Sequence, residues 1–179
     1  MIAAVHGFCI AGATQICCYA DIVIVTHDAR IGEPTIPLGG GYIAPLWVPQ
    51  VGAKRAKEFA FVPGNWIDGR TAVEWGWANH AVEPDQLLGA VASLAQRIAL
   101  TPASVLRMKK LAINRAAEAC GYREAASSGA QINALLHATP EVQALRREMD
   151  EVGLKTMIDR FRSDPTTPLA GIKTTQRKE

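Results

Sequence analysis

The fold is decided by the first 25 residues, MIAAVHGFCIAGATQICCYADIVIV. The apolar run Met1–His6 ends at Gly7 and predicts a buried strand. Residues 11–20 predict a helix reached through a turn of small residues, and the β-branched stretch Asp21–Thr26 predicts a second strand. Two such strands with a helix between them form a βαβ-like unit, in which both strands are expected to be buried on two faces.

The remainder of the chain predicts a loop followed by helices. Residues 27–41 contain two prolines and the triple glycine Gly39-Gly40-Gly41, which favours a loop. Asp68, Thr101 and Gly121 are expected to cap helices. The predicted helices cover 46–62, interrupted near 49–52, and then 69–77, 85–100, 102–120, 123–137 and 139–162. We therefore expect a partial α/β core over 1–100, a helical region over 101–163 and a flexible tail over 164–179.

Composition excludes several classes of protein. The 179 residues are 49% hydrophobic and 20% charged, which is typical of one globular domain. The net charge is +2 and the only basic cluster is the short tail at Arg177, so nucleic acid is not an expected partner. No apolar run reaches the length of a membrane span, and the run at Met1 does not have the pattern of a signal peptide. We expect no membrane partner and a cytoplasmic protein, with its four cysteines buried as free thiols.

Three features are candidates for a functional site, and a fourth, the set of histidines, is not. The turn from Gly7 to Gly12 leads into a helix, whose first N–H groups can bind an anion or a developing oxyanion, although close packing is the commoner reason for such glycines. Glu33 stands between Gly32 and a proline, where a rigidly held acid can be catalytic but a surface position is commoner. Gly39 belongs to a turn expected to line a pocket. The four histidines lack metal-binding spacing, so no metal is expected.

The motifs together resemble the enoyl-CoA hydratase/isomerase (crotonase) family. The stretch Ile31–Gly39 is similar to the family pattern F-G-x-P-E-x-x-x-G. The order and spacing of the matches, from Met1 to about Ser163, carry the resemblance more than any one of them. The other matching segments are Ile2–Gly7, Ala11-Gly12, Ala20-Asp21, Val51-Gly52 with Ala56, Gly69–Gly76, Ala81-Val82, and Lys109-Lys110 with Asn114.

The resemblance implies a fold and an assembly. The expected fold is an α/β, crotonase-like core built as a spiral of ββα repeats, with a C-terminal helical oligomerisation region forming a homotrimer or hexamer. About the first third of the family fold precedes Met1 in the family pattern. The chain is therefore expected to correspond to the C-terminal two-thirds of the family fold. A truncated reading frame is the preferred explanation, and one part of a larger assembly is the alternative.

The resemblance also implies an acyl-CoA pocket, with coenzyme A as part of the substrate and no separate cofactor. Gly12 stands where the family supplies one of two oxyanion donors, the other coming from a segment before residue 1. The two catalytic glutamates of the family correspond to Gln15 and Thr35, which are expected to face each other across the pocket. An amide takes up no proton at neutral pH and a threonine hydroxyl is a poor base, which leaves Glu33 as a possible substitute.

Other positions of the family pattern concern the nucleotide end of coenzyme A. Met157 and Arg160 are expected to contact it from a neighbouring subunit, and Gly39 lines the substrate pocket. The leading interpretation is enolate chemistry of hydratase or isomerase type, in fatty-acid or other carboxylic-acid metabolism. Two alternatives are a catalytically weak acyl-CoA-binding or assembly subunit, and a hydrolase of a thioester or diketone that uses His6 or Glu33.

Overall fold

A computed structural model of the chain describes residues 1–162, and the predicted tail at 164–179 lies outside them. The strands of the described part are β1 (Ile2–Val5), β2 (Phe8–Ile10), β3 (Ile22–Thr26), β4 (Arg30–Gly32), β5 (Trp66–Ile67) and β6 (His80–Val82). Its α-helices are α1 (Gly12–Cys18), α2 (Ala44–Val51), α3 (Ala53–Phe61), α4 (Gly69–Glu74), α5 (Leu87–Ala99), α6 (Ala103–Ala119), α7 (Tyr122–His137), α8 (Pro140–Val152) and α9 (Leu154–Phe161). None of these helices combines the length and the apolar character that crossing a lipid bilayer requires.

The strands form two small sheets, between which the chain alternates. One sheet is parallel, in the order β1-β3-β6, and the other has the order β2-β4-β5, with β2 and β4 parallel and β5 antiparallel to β4. The chain thus runs β1-β2-α1 and then β3-β4-α2, placing one strand of each pair in each sheet. This ββα repetition, followed by helices α5 to α9, agrees with the predicted α/β crotonase-like class.

The predicted βαβ unit is present, with one correction. β1 and β3 are parallel, and Ile2 pairs with Ile22 while Val5 pairs with Val25. β3 is almost entirely buried. The expectation that β1 is buried on two faces is wrong, because Ala4 is exposed and β1 lies at the edge of its sheet within the described chain.

A stack of aromatic rings forms the centre of the core. Trp47 of α2 is completely buried, with its ring centroid 3.9 Å from that of Phe59 on α3 and 5.3 Å from that of Trp77. Trp75 is also buried. The prediction that the tryptophans are core residues is confirmed for these three, whereas Trp66 is only half-buried.

Two of the three predicted caps are confirmed. The Asp68 carboxylate accepts a hydrogen bond of 2.7 Å from the Thr71 N–H at the start of α4. Gly121, at φ 93°, separates α6 from α7. The cap predicted at Thr101 is wrong, since α6 begins one residue later than expected and Pro102 occupies its N-cap position.

Two glycines act as joints between consecutive helices. Gly52 joins α2 to α3 with φ 82° and ψ 158°, and Gly153 joins α8 to α9 with φ 84° and ψ 155°. This backbone region is essentially restricted to glycine. The break near 49–52 was predicted and is confirmed, but the single helix predicted over 139–162 is wrong, because Gly153 divides it.

The triple glycine packs against helix α7. A Cβ atom at Gly41 would lie 3.3 Å from the backbone of Asn133, and one at Gly129 would lie 3.2 Å from the carbonyl oxygen of Gly41. These glycines therefore allow the loop and the helix to approach closely. The approach brings the last turn of α7 beside the loop that follows β4.

The cysteines of the described chain are free thiols. Cys9, Cys17 and Cys18 are buried, as predicted, and the sulfur atoms of Cys9 and Cys17 are 3.8 Å apart. Burial raises the pKa of the Cys18 thiol to about 12. Cys120 is exposed at the end of α6, so the prediction of burial is wrong for this residue.

Candidate functional site

The site lies where β2 and β4 end. These strands are parallel, with Ile10 opposite Gly32, so their carboxyl ends meet at one edge of the sheet. The N–H of Ala11 donates a hydrogen bond of 3.0 Å to the carbonyl oxygen of Gly32. This bond places the start of α1 beside the residue that follows β4, which is Glu33. Ligands of α/β sheets bind at such carboxyl edges.

The turn into α1 has a strained backbone. Ala11 adopts φ 53° and ψ −118°, and is the one residue other than glycine with positive φ in the described chain. Its carbonyl oxygen accepts hydrogen bonds from the N–H and the hydroxyl of Thr14, at 2.9 and 2.7 Å, which hold the turn in place. The next residue, Gly12, is exposed, and within residues 1–162 its N–H has no hydrogen-bond acceptor. An exposed, unpaired N–H at the start of a helix can donate a hydrogen bond to an anion or a developing oxyanion.

Glu33 is buried, contrary to the surface position that is commoner for such an acid. Glu33 is 7% exposed, and its backbone N–H donates a hydrogen bond of 2.8 Å to the carbonyl oxygen of Asn65. One carboxyl oxygen, Oε1, is buried without a hydrogen-bond partner in the described chain. Burial raises the pKa of this carboxyl from 4.5 to about 7, because the charged form is deprived of water.

Glu33 and Thr35 line the same small cavity, whose volume is about 160 Å³. The guanidinium of Arg30, which also lines it, lies 5.6 Å from the ring centroid of Phe8 and 5.0 Å from that of Trp66. These aromatic contacts fix a cation at the cavity wall. The complete lining is Phe8, Ile10, Arg30, Glu33, Thr35, Gly64, Trp66 and Arg162.

A second cavity of about 510 Å³ adjoins the first. Its size falls in the range of small-molecule binding sites. Ile10 and Thr35 line both cavities, so the two cavities are neighbours. The second cavity is mostly apolar, lined by Ile10, Pro34, Thr35, Ile36, Leu38, Gly39, His137, Met149, Leu154 and Ile158.

The predicted catalytic positions are only partly brought together. Glu33 and Thr35 share the first cavity, and Gly39 lines the second. Gly12 lines neither of these two cavities, and nor does Gln15, which is half-buried on α1. The expected position of Gln15 opposite Thr35 stays a prediction, as does the oxyanion role of Gly12.

The two positions predicted to contact the nucleotide differ in exposure. Met157 is 1% exposed and buried on α9, and its contact with a nucleotide stays a prediction. Arg160 is exposed and forms an ion pair with Glu148, while its guanidinium lies 5.2 Å from the ring centroid of Phe161. Contact with a nucleotide stays a prediction for Arg160.

Sequence reasoning missed two residues of this region. Ala11 reads as an ordinary small residue, and only its place between a strand and Gly12 points to a special conformation. His137 lines the second cavity from the end of α7, and no spacing rule links it to Gly39, almost a hundred positions earlier. Within residues 1–162, no three His, Cys, Asp or Glu side chains are grouped as a metal site would require.

Comparisons with known proteins show which family the chain resembles. Residues 1–150 match the enoyl-CoA hydratase/isomerase family. The chain is 33% identical over 118 residues to a short-chain-enoyl-CoA hydratase of Clostridium acetobutylicum, covering 64% of this chain and 45% of that protein. It is 36% identical over 121 residues to a short-chain-enoyl-CoA hydratase of Clostridioides difficile, covering 66% of this chain and 77% of that protein.

Solved structures show the same likeness. A putative enoyl-CoA hydratase/isomerase from Novosphingobium aromaticivorans is 53% identical with a TM-score of 0.88, over 91% of this chain and 60% of that one. An enoyl-CoA hydratase from Mycobacterium smegmatis is 34% identical with a TM-score of 0.80, over 89% of this chain and 54% of that one. The chain spans about half the length of several curated relatives it matches, between 45% and 48%. Since the family match covers most of the sequence, the chain belongs to the enoyl-CoA hydratase/isomerase family.

Proposed function

We propose that this chain binds an acyl-CoA, as the C-terminal two-thirds of the family fold, and stabilises an enolate in hydratase- or isomerase-type chemistry, with Glu33 transferring the proton. The observation that carries the proposal is the buried Glu33 carboxyl: the residue lines a cavity, one carboxyl oxygen has no hydrogen-bond partner among residues 1–162, and the pKa is about 7. A carboxyl with this pKa is present in both protonation states near neutral pH, which suits proton transfer. Relatives named as hydratases support the same class of reaction.

One carboxyl is sufficient for isomerisation of an enoyl thioester. The Glu33 carboxylate removes a proton from the carbon next to the thioester carbonyl, and the electron pair of the C–H bond moves onto the carbonyl oxygen. The exposed N–H of Gly12 donates a hydrogen bond to that oxygen. The same carboxylic acid then returns the proton at the γ-carbon as the double bond moves and the carbonyl re-forms.

Hydration uses the same groups in another order. The oxygen of a water molecule bonds to the β-carbon while Glu33 takes one of its protons, and the electrons of the double bond move toward the thioester oxygen. Glu33 then delivers this proton to the α-carbon. In this scheme the hydroxyl of Thr35, which lines the same cavity, hydrogen-bonds the water.

The pH dependence of turnover tests the role of Glu33. We expect kcat with a short 2-enoyl-CoA, or with its 3-enoyl isomer, to rise with pH and level off with an apparent pKa near 7, because the carboxylate form takes the first proton. Assays at several pH values, with buffer ionic strength held constant, provide the measurement. A rate that does not change across the range from mildly acidic to mildly alkaline pH would contradict the assignment of Glu33.

Two alternative functions predict other results in the same assay. A catalytically weak acyl-CoA-binding subunit would bind a saturated acyl-CoA with no turnover of either isomer, and the absence of Gln15 from both cavities favours this alternative. A thioester hydrolase would release free coenzyme A, and a diketone hydrolase would cleave a C–C bond to give a carboxylic acid and a ketone. A hydrolase with His6 as the reacting group has no support from the geometry, since His6 is exposed and lines neither cavity.

We propose from the exposed surface of the helical region that the chain assembles as a homotrimer or hexamer. Helix α6 buries none of its residues, and five apolar side chains on it are exposed. Such an apolar surface marks a site of association. The five are Val105, Leu106, Met108, Leu111 and Ile113.

Light scattering at micromolar concentration tests this assembly. We expect a mass several times the 19.2 kDa of one chain. Replacing Met108 and Ile113 with glutamate should shift the mass toward one chain, because charges at an apolar interface are costly to bury. The same change at Leu88, which is 76% exposed on α5, is the control and should leave the mass unaltered. A single-chain mass for the unsubstituted protein would refute the proposal.

A further inference from the structure

The second cavity contains one side-chain donor whose direction is fixed by a neighbour. An Arg146 guanidinium nitrogen lies 2.9 Å from Nδ1 of His137. A guanidinium has donors and no acceptor, so Nδ1 must be the acceptor in this hydrogen bond. The proton of the neutral imidazole therefore resides on Nε2.

The Nε2–H group of His137 has no acceptor within residues 1–162. His137 lines the second cavity together with Gly39, and a Cβ atom at Gly39 would lie 3.5 Å from Nε2. The absence of a side chain at Gly39 therefore leaves space next to the donor. Apart from the Thr35 hydroxyl at the junction with the first cavity, the other side chains that line this cavity are apolar.

We infer that the second cavity selects acyl groups that carry an uncharged oxygen, a hydroxyl or a carbonyl, remote from the thioester, and that Nε2–H of His137 donates a hydrogen bond to this oxygen. The inference rests on the proposed function, because it assumes that the thioester end lies near Glu33 in the first cavity. Thr35 and Ile10, which line both cavities, define the path of the acyl chain from one to the other.

The surroundings favour an uncharged oxygen over a carboxylate. Apart from the polar groups of Thr35 and His137, the lining consists of aliphatic side chains, one proline, one methionine and Gly39. Arg146 contacts Nδ1, the ring nitrogen opposite the donor, and does not line the cavity. A carboxylate would therefore lose its hydration there in exchange for one hydrogen bond from the ring, and such an exchange is unfavourable. A hydroxyl or carbonyl loses much less hydration and satisfies the same donor.

Binding of unreactive ligands tests the inference without any need for turnover. The probes are octanoyl-CoA, its terminally hydroxylated analogue and its terminally carboxylated analogue, with calorimetry as the readout. We expect the hydroxylated ligand to bind about three- to tenfold more tightly than octanoyl-CoA, the effect of one net hydrogen bond. Equal affinity of these two ligands, or a preference for the carboxylate, would overturn the inference.

Two variants test whether His137 and Gly39 are responsible for the tighter binding of the hydroxylated ligand. In His137→Phe the ring remains but the donor is lost, so the ratio of the two dissociation constants should fall to about one. In Gly39→Ala the donor remains, but the added methyl group would lie 3.5 Å from Nε2, in van der Waals contact with it, and would fill part of the space that the ligand oxygen needs, so the ratio should also fall. His80→Phe, at an exposed position of β6, is the control and should retain the full ratio. A ratio unchanged in His137→Phe, with the fold verified by circular dichroism, would refute the role of His137.

Turnover separates this inference from the proposed function. A chain that prefers the hydroxylated ligand but converts no enoyl-CoA supports the cavity assignment and refutes the catalytic one. A chain that converts crotonyl-CoA with an apparent pKa near that of Glu33, but does not discriminate between the octanoyl ligands, supports catalysis by Glu33 and refutes selection by His137.

Discussion

Replacing Glu33 with Gln is expected to lower kcat for enoyl-CoA turnover by about 10²- to 10⁴-fold, the usual contribution of a positioned acid–base group. An amide has nearly the same shape as a carboxyl but accepts no proton near neutral pH. Binding of a saturated acyl-CoA should change little. Steady-state kinetics and calorimetry on the same preparation provide the two measurements.

The same substitution should stabilise the folded chain at high pH. Because burial raises the pKa of Glu33 from 4.5 to about 7, the folded state holds more protons than the unfolded state between these values. Stability therefore falls as pH rises through this window, by about 3 kcal/mol in total. The amide of the Glu33→Gln variant does not titrate. This variant should therefore unfold with a similar free energy below the window and with a free energy up to about 3 kcal/mol higher above it.

A surface glutamate provides the matched control. Glu151 is exposed near the end of α8, and Glu151→Gln should change neither kcat nor the pH dependence of unfolding. Urea unfolding at several pH values gives the comparison. If Glu33→Gln keeps the turnover of the unsubstituted chain, Glu33 does not transfer the proton. If it keeps the pH-dependent loss of stability, Glu33 is not the buried acid that titrates in this window.

Truncating Trp47 to Ala is expected to reduce the free energy of unfolding by about 3–5 kcal/mol. Its ring is completely buried between those of Phe59 and Trp77, with centroid distances of 3.9 and 5.3 Å. The loss combines hydrophobic burial, ring stacking and the cavity that remains. Urea unfolding followed by far-ultraviolet circular dichroism measures the change without depending on tryptophan fluorescence.

Trp47→Phe separates the contribution of the ring from that of the indole N–H. Nε1 of Trp47 is buried without a hydrogen-bond partner in the described chain, so its removal costs little and offsets part of the lost contact. We expect a loss of about 1–2 kcal/mol, clearly smaller than for Trp47→Ala. Equal losses in the two variants would show that ring stacking contributes nothing at this position.

Sequence reasoning succeeded where a pattern extended over several residues. The βαβ-like unit formed by Met1–His6 and Asp21–Thr26 followed from two apolar runs, although its register did not, and the break at Gly52 followed from a proline and a glycine close together. The strands β2, β4 and β5 contain three, three and two residues, too few to show alternation. The break at Gly153 was missed because an isolated glycine costs a helix only about 1 kcal/mol.

The site was less predictable because burial and pairing arise only in three dimensions. Glu33 has the sequence surroundings of a loop acid, and its burial results from strand β4 meeting the segment around Asn65. The tautomer of His137 depends on Arg146, which belongs to the following helix. The family pattern did direct attention to Gly12, Thr35 and Gly39, but it gave no measure of which carboxyl would titrate near neutral pH.

The joint at Gly153 has a consequence for how the second cavity can change in size. Met149 precedes it on α8, Leu154 and Ile158 follow it on α9, and all three line the second cavity. The angle between these helices, and hence the width of that cavity, depends on a backbone conformation open essentially to glycine alone. A Cβ at Gly153 would meet no atom within 4 Å, so a substitution there acts through the backbone and not through a clash. One mutation at this position can therefore change the width of the second cavity without changing any residue that lines it.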